Sequence, residues 1–352
     1  MEEIQYKAFS LRTHKKNWRI KRPNVCQFEL TFRCGLRCRH CCTDCYNKEE
    51  DIKRELTTSH VKLIIDKVYN SGVIWLCFTG GDPLTRQDFL ELYSYAKAQG
   101  FLITIFTNAY SMTEEIIKYL KKKPPFVIEM TLNAVTKESY EKISQVEGSF
   151  EKVMQGLNLI LKAKLPLKIK TQITRDNLGE IPDIKKFIEG LGLKFRPSSD
   201  LQPRLNGDLT PCNLRITSQE ALSLNGKRQI VKDDCQLLPH TAHRTPHTDL
   251  FQQCSVGGGD CFLIDPYGNT FPCALIRKPV FNLLKVDIGY AINRLLPQVR
   301  NRKFVTDSKC NGCNLREICF WCPGRAYVEK GDMETRIEYY CQLAEETAKH
   351  IG

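Results

Sequence analysis

The chain has 352 residues, 42% of them hydrophobic and 26% charged, with 52 Lys+Arg against 40 Asp+Glu for a formal charge of +12, and it carries 17 cysteines. That length suits two domains with cores of their own, which excludes a small disulfide-stapled scaffold. No apolar run reaches the ~18 residues that span a bilayer, and the amino-terminal stretch MEEIQYKAFSLRTHKKNWRI lacks a signal-peptide core. The expectation is a cytoplasmic protein with no membrane contact, in which so many thiols stay reduced and point to metal before disulfides. The positive charge fits a solvated basic surface, and fits an acidic peptide or nucleic-acid partner as well.

Residues 1–24 read as an N-terminal extension. From 25 to 199, short β-branched or aromatic runs alternate with helical patterns. The candidate strands are Val25 to Phe32, Val73 to Thr79, Phe101 to Thr107, Phe126 to Leu132, Leu167 to Ile173 and Leu193 to Ser198. Between them apolar residues recur at helical spacing, as in Val61/Ile64/Ile65/Val68, Phe89/Leu92/Tyr93/Ala96, Phe150/Val153/Met154/Leu157 and Ile184/Phe187/Ile188/Leu191. Thr57-Thr58-Ser59 and Thr113 are placed to cap helix starts, and Gly72 and Gly100 to close helix ends. Six βα units predict an α/β fold, a partial (β/α)6 TIM-like barrel that is too short to close with eight strands. Catalytic groups in such a sheet belong just past the carboxyl ends of the strands. Residues 200–253, broken by Pro203, Pro211, Pro239 and Pro246, read as a connecting segment, and 254–345 as a second, cysteine-rich domain.

Directly after the first strand comes Cys34-Gly35-Leu36-Arg37-Cys38-Arg39-His40-Cys41. Three thiolates on a short loop can bind three irons of a four-iron cluster and leave the fourth open to a small molecule. A zinc loop completed by Cys42 or Cys45 is the alternative. The loop, with Phe28-Glu29-Leu30-Thr31-Phe32-Arg33 leading into it, resembles the signature of the radical S-adenosylmethionine (SAM) superfamily. Thr79-Gly80-Gly81-Asp82-Pro83-Leu84 after the second strand resembles that family's glycine-rich motif, whose backbone holds the methionine amino group. The family usually has Glu at the position of Asp82 and Tyr at that of Cys42. Thr107-Asn108 and Thr131-Leu132-Asn133 resemble its positions for the SAM ribose and carboxylate. The resemblance therefore implies Gly80, Gly81, Asp82, Pro83, Thr107, Asn108 and Thr131 as SAM-binding residues and Cys34, Cys38 and Cys41 as cluster ligands. It also implies the chemistry: one electron from the cluster splits SAM into methionine and a 5′-deoxyadenosyl radical, which abstracts hydrogen from an inert carbon.

The later cysteines, at 254, 261, 273, 310, 313, 319, 322 and 341, resemble the SPASM domain, a radical-SAM extension with two auxiliary four-iron clusters. Carried over by position, the resemblance gives Cys254, Cys261, Cys273 and Cys322 to one cluster and Cys310, Cys313, Cys319 and Cys341 to the other, for three [4Fe-4S] clusters in all. Two alternatives stay open: Cys261 as a buried apolar residue with one iron exposed, or structural zinc sites. Leu263 to Thr270 reads as a hairpin around Pro266-Tyr267-Gly268-Asn269. Cys26 and Cys77 fall in strands and read as core. Cys212 and Cys235 are candidates for a proton donor or acceptor near the radical. His240, His243 and His247 read as solvated loop. Domains of this type accompany enzymes that modify peptides, so the resemblance implies an oxidoreductase acting on a peptide or small protein in ribosomal peptide maturation, by crosslinking, thioether formation or oxidation. A separate leader-peptide-recognition protein and an electron donor such as flavodoxin or ferredoxin are the implied partners, with no nucleic acid. The other readings are a tetrapyrrole (haem-pathway) radical SAM enzyme and, from a different class, a zinc-stabilised nucleic-acid-binding protein.

Overall fold

A computed structural model describes residues 5–20, 22–43, 48–229 and 261–351. Six strands, β1 (Val25–Thr31), β2 (Trp75–Gly80), β3 (Leu102–Thr107), β4 (Val127–Thr131), β5 (Leu167–Gln172) and β6 (Arg196–Ser198), each pair in parallel with the next in chain order. The order runs β6-β5-β4-β3-β2-β1 without closing on itself, as a partial barrel does. The strands lie within a residue or two of the sequence expectation, apart from the last, which starts three residues later than Leu193.

Alternation decides the layers. Ile103, Ile105, Ile128, Met130 and Ile169 are fully buried on the helix side, where they meet Val61, Ile64, Ile65 and Val68 of the helix Thr58–Asn70 and Val153, Leu157 and Ile160 of the helix Ser149–Lys162. Each such side chain contributes about 1.5–3 kcal/mol by leaving water. The residues between them, including Thr79, Phe106, Glu129 and Lys168, face the barrel interior. Thr57 and Thr113 accept the amide hydrogens of His60 and Ile116 as helix caps, and Gly72 and Gly100 have φ of +83° and +93°.

Two features were outside the sequence expectation. The N-terminal extension contains a helix, Tyr6–Arg19, whose His14 stacks on Trp75 at 4.8 Å and whose Tyr6 packs on Phe126 at 4.7 Å, so that it covers the amino-terminal end of the sheet. The sheet also does not end at β1. A seventh strand, β7 (Cys261–Ile264), pairs in parallel with β1 from Val25↔Cys261 to Phe28↔Ile264, and the antiparallel strands β8 (Asn269–Phe271) and β9 (Phe281–Asn282) follow. The expected hairpin is present, with Asp265 Oδ1 accepting the amide hydrogens of Tyr267 and Asn269. Paired guanidinium–carboxylate contacts clamp the C-terminal segment, to the barrel through Arg277 and Glu29 at 2.9 and 3.0 Å and to the segment after β6 through Arg215 and Glu329 at 2.6 and 3.1 Å. No helix of the described residues is long and apolar enough to cross a membrane.

The helix Ser149–Lys162 sits tightly on the turn after β3: a Cβ on Gly156 would lie 2.2 Å from the backbone oxygen of Ala109, itself at φ +63°. Gly156→Ala should therefore cost about 1–3 kcal/mol through overpacking, visible as a lower thermal midpoint. An unchanged midpoint would show that the turn yields freely.

Candidate active site

The cysteine loop, residues 34–41, begins where β1 ends and is tied down by its neighbours. The amides of Arg37 and Arg39 donate to the carbonyls of Ser144 and Ile143 at the end of the helix Lys137–Ser144, at 2.9 and 3.1 Å, and Arg39 Nη1 bonds both carboxylate oxygens of Asp176 at 2.8 Å. Leu205 N donates to the Cys42 carbonyl at 2.9 Å, so residues after β6 also contact the loop's end.

The turn after β2 closes on this loop backbone to backbone. Gly81 N donates to Thr31 O and Asp82 N to Arg33 O, both at 2.8 Å. A Cβ on Gly80 would lie 2.0 Å from Thr31 O and one on Gly81 2.3 Å from Arg33 O, and Gly80 has φ +130°. Only glycine allows that approach.

Around this junction opens a cavity of ≈ 240 Å³ lined by Cys34, Cys38, Cys41, His40, Thr79, Gly80, Gly81, Phe106, Thr107, Asn108, Thr131, Asn133 and Tyr140, with Leu36. All three thiols of the first cluster motif thus share one wall, together with five of the seven SAM-binding candidates. Asp82 and Pro83, the other two, stand behind it. Asp82 is buried, its Oδ1 accepting from Leu84 N and its Oδ2 from Thr107 Oγ1 at 2.8 Å and Asn108 N at 3.1 Å. Burial raises its carboxyl to about 6 despite these bonds. The side chain holds the end of β3 in place and leaves the ligand face to backbone. Asn108 Nδ2 in turn donates to Cys34 Sγ at 3.3 Å, a contact that stabilises a ligating thiolate.

His40, Phe106, Asn133 and Tyr140 complete the lining. Phe106 and Tyr140 have no sequence signal of their own; strand alternation and the position of the helix Lys137–Ser144 bring them in. His40 Nε2 lies 3.2 Å from Asn133 Nδ2 while its Nδ1 is buried without a partner. Burial lowers its pKa to about 4, so the imidazole is neutral near pH 7. Cys38 is pushed up by burial and by Cys41 and Cys34.

The later cysteines gather in two groups. The β7–β8 hairpin pairs Leu263 with Phe271, and the Cys273 thiol, raised to about 11 mainly by burial, is raised further by Cys322 and Cys261. Cys254, expected with them, lies outside the described residues, as do Cys45, Cys235, His240, His243 and His247. Cys310, Cys313, Cys319 and Cys341 line a second cavity of ≈ 130 Å³ with Arg316 and Trp321. Burial raises Cys310 and Cys319 to about 11, and Cys341 raises both. The fourteen described cysteines form no disulfides with one another. Thiols raised by burial and by one another, as Cys38, Cys273, Cys310 and Cys319 are, hold their protons until a cation replaces them, so the described members of the three groups fit iron–sulfur ligation. Among the described residues no three His, Cys, Asp or Glu side chains converge on one point as the ligands of a single ion do; the thiols of the first loop and of the Cys310 group line cavities instead. Cys26 and Cys77 are buried in the sheet. Cys212 lines a different cleft, with Arg175, Arg215 and Tyr339.

The model of the radical SAM superfamily matches residues 28–188. The AdoMet-dependent heme synthase of Methanosarcina barkeri is 25% identical over 343 residues, covering 91% of this chain and 96% of that protein. The mycofactocin maturase MftC of Mycobacterium tuberculosis is 28% identical over 258 residues, 71% of this chain and 64% of its own. Among solved structures, Streptococcus suis SuiB bound to its precursor peptide SuiA superposes with a TM-score of 0.70 at 17% identity, over 97% of this chain and 82% of that one.

Asp82→Ala should leave Thr107 Oγ1 and Asn108 N without their acceptor, at about 1–3 kcal/mol for each buried group. Anaerobic thermal unfolding checks this, with Thr107→Val expected to show a smaller loss. Equal stability of Asp82→Ala and wild type would remove Asp82 from the support of the cavity.

Proposed function

The chain belongs to the radical SAM superfamily, as a radical SAM enzyme, and we propose that it binds SAM at a cluster on Cys34, Cys38 and Cys41 and draws hydrogen from a carbon of a peptide substrate. The observation that carries this reading is the single cavity shared by the three thiols, the Gly80-Gly81 turn and the polar ends of β3 and β4. Bound there, cluster and SAM supply a one-electron cleavage that yields methionine and an adenosyl radical able to take hydrogen from an unactivated carbon.

The protein's part is binding, orientation and exclusion of water. The carbonyls of the Gly80-Gly81 turn can accept hydrogen bonds from an ammonium, because no side chain shields them. Asn108 and Thr131 offer amide and hydroxyl groups to the remaining polar atoms of SAM, and Thr107, whose hydroxyl donates to Asp82, takes part in the same wall. Asn108 also orients Cys34 through its amide. Cys254, Cys261, Cys273 and Cys322 hold one auxiliary four-iron cluster in this reading, and Cys310, Cys313, Cys319 and Cys341 the other, in a SPASM-type domain at 254–345 joined through 200–253 to the barrel at 25–199. Each cleavage consumes an electron, so a flavodoxin- or ferredoxin-type donor is required. A peptide substrate is supported by the fold shared with SuiB, whose structure holds a precursor peptide, and by the likeness to MftC. The second reading, a tetrapyrrole substrate, is supported by the likeness to the heme synthase along nearly its whole length.

Anaerobic reconstitution should give about twelve irons per chain, four for each cysteine group, and reductant with SAM should give 5′-deoxyadenosine. Replacing Cys34, Cys38 and Cys41 together by Ala should abolish the cleavage and leave about eight irons. Zinc without iron, or cleavage by the triple variant, would contradict the assignment. Cys273→Ala should lose about four irons and spare the rest. Mass spectrometry then separates the substrates: a SAM-dependent mass change in a co-expressed short peptide supports the first reading, turnover of an iron tetrapyrrole the second.

A further inference from the structure

The inner wall of the partial barrel beside the cavity is not neutral. Strand register puts Phe106, Glu129 and Lys168 in one row across β3, β4 and β5, and Thr131, Lys170 and Arg196 in the next row across β4, β5 and β6. Phe106 and Thr131 line the cavity, and neighbours in register share a face, so Lys168, Lys170 and Arg196 face the same interior. Two contacts agree. Lys170 Nζ stands 4.6 Å from the centre of the Phe106 ring, and the thiol of Cys77, on the interior side of β2, feels the charges of Glu129 and Lys170. The alternate residues Ile169 and Thr171 are fully buried on the helix side.

Glu129 is the carboxylate of this wall. It pairs with Lys170 and lies 3.7 Å from Lys168. Glu29, farther along the same face, is committed to Arg277. Arg196 has no ion-pair partner among the described residues. Three cations against one carboxylate leave about two positive charges beside the cavity, in a concave wall where fields are focused, and the Lys170 side chain is 49% exposed to whatever enters.

From this juxtaposition we infer that Lys168, Lys170 and Arg196 form a carboxylate-binding strip that anchors the substrate on the β5–β6 side of the barrel. The inference rests on the radical SAM reading of the neighbouring cavity and adds the substrate's chemistry to it: the molecule carries one or two carboxylates near the carbon that loses hydrogen. Acidic side chains of a peptide and propionates of a tetrapyrrole both supply that group. Arg196 at the open edge receives a carboxylate in bidentate fashion, and Lys170, drawn off Glu129, adds a second charge.

The test uses the reconstituted holoenzyme with SAM and two probes, a fluorescent glutamate-rich decapeptide and iron coproporphyrin III, each beside its uncharged counterpart with glutamine or methyl ester. At least one acidic probe should bind wild type more than tenfold more tightly than its neutral form. Lys170→Gln and Arg196→Gln should each weaken that binding at least fivefold, and Arg196→Lys should restore part of it. Absorbance of the clusters and circular dichroism report whether each variant is intact. Whichever probe binds identifies the source of the carboxylate. Equal binding by wild type and both variants, no preference for acidic over neutral probes, or no binding of either acidic probe to wild type overturns the strip. A rise in the SAM dissociation constant matching that of the probe also overturns it, by assigning the cations to SAM. Cleavage of SAM by wild type is scored separately, so a failed strip leaves the catalytic reading standing, and absent cleavage fails that reading whatever the probes do.

Discussion

The cavity depends on one close approach of backbone to backbone. The turn after β2 lies against the end of β1 and the residue that precedes the cysteine loop, through two amide–carbonyl bonds of 2.8 Å, at a separation that a Cβ on Gly80 or Gly81 would close to 2.0–2.3 Å. Because the two segments touch there, three thiols and a bare peptide turn open onto the same space. Asp82 extends the contact to a third strand end by bonding Thr107 and Asn108, and Asn108 returns to Cys34. Three segments far apart in sequence are thus fixed against one another by hydrogen bonds whose partners are mostly buried, where an unmet bond is costly.

Strand β1 also organises the rest. Its carboxyl end feeds the cysteine loop, while its amino end, at Val25, is paired with Cys261. Seven residues of extended chain separate these points by about 20 Å. Cys261 therefore sits at the amino-terminal end of β1, away from the cysteine loop, although one continuous sheet carries both. The Arg277–Glu29 pair, four residues beyond Cys273, ties the chain after that cysteine to the interior face of β1, in register with Thr79 of the cavity lining.

The sequence showed what is local. Alternation located five strands closely, spacing located the helices that cover them, and threonines and glycines marked several helix ends. The cysteine loop and the glycine turn were legible because both lie at strand ends in a repeating βα pattern. What depends on contacts between distant segments was not. Parallel pairing of β7 with β1 leaves no mark in the run Cys261 to Ile264, which reads equally well as an isolated hairpin strand. The helix Tyr6–Arg19 has a weakly apolar, Lys-rich sequence that gives no signal until His14 and Tyr6 meet Trp75 and Phe126. Asp82 read as a ligand contact by resemblance, and only its bonds show the carboxylate turned to Thr107 and Asn108. Lys168, Lys170 and Arg196 looked like ordinary surface charges; strand register alone collects them on one interior wall.

The most direct measurement of the central claim is electron paramagnetic resonance of the dithionite-reduced holoenzyme with and without SAM. If SAM binds the open iron of a cluster on Cys34, Cys38 and Cys41, its addition shifts one component of the reduced spectrum, and the variant lacking these three cysteines loses that component and the shift together. A reduced spectrum that SAM leaves unchanged in wild type, or a shift that survives in the variant, would contradict the account.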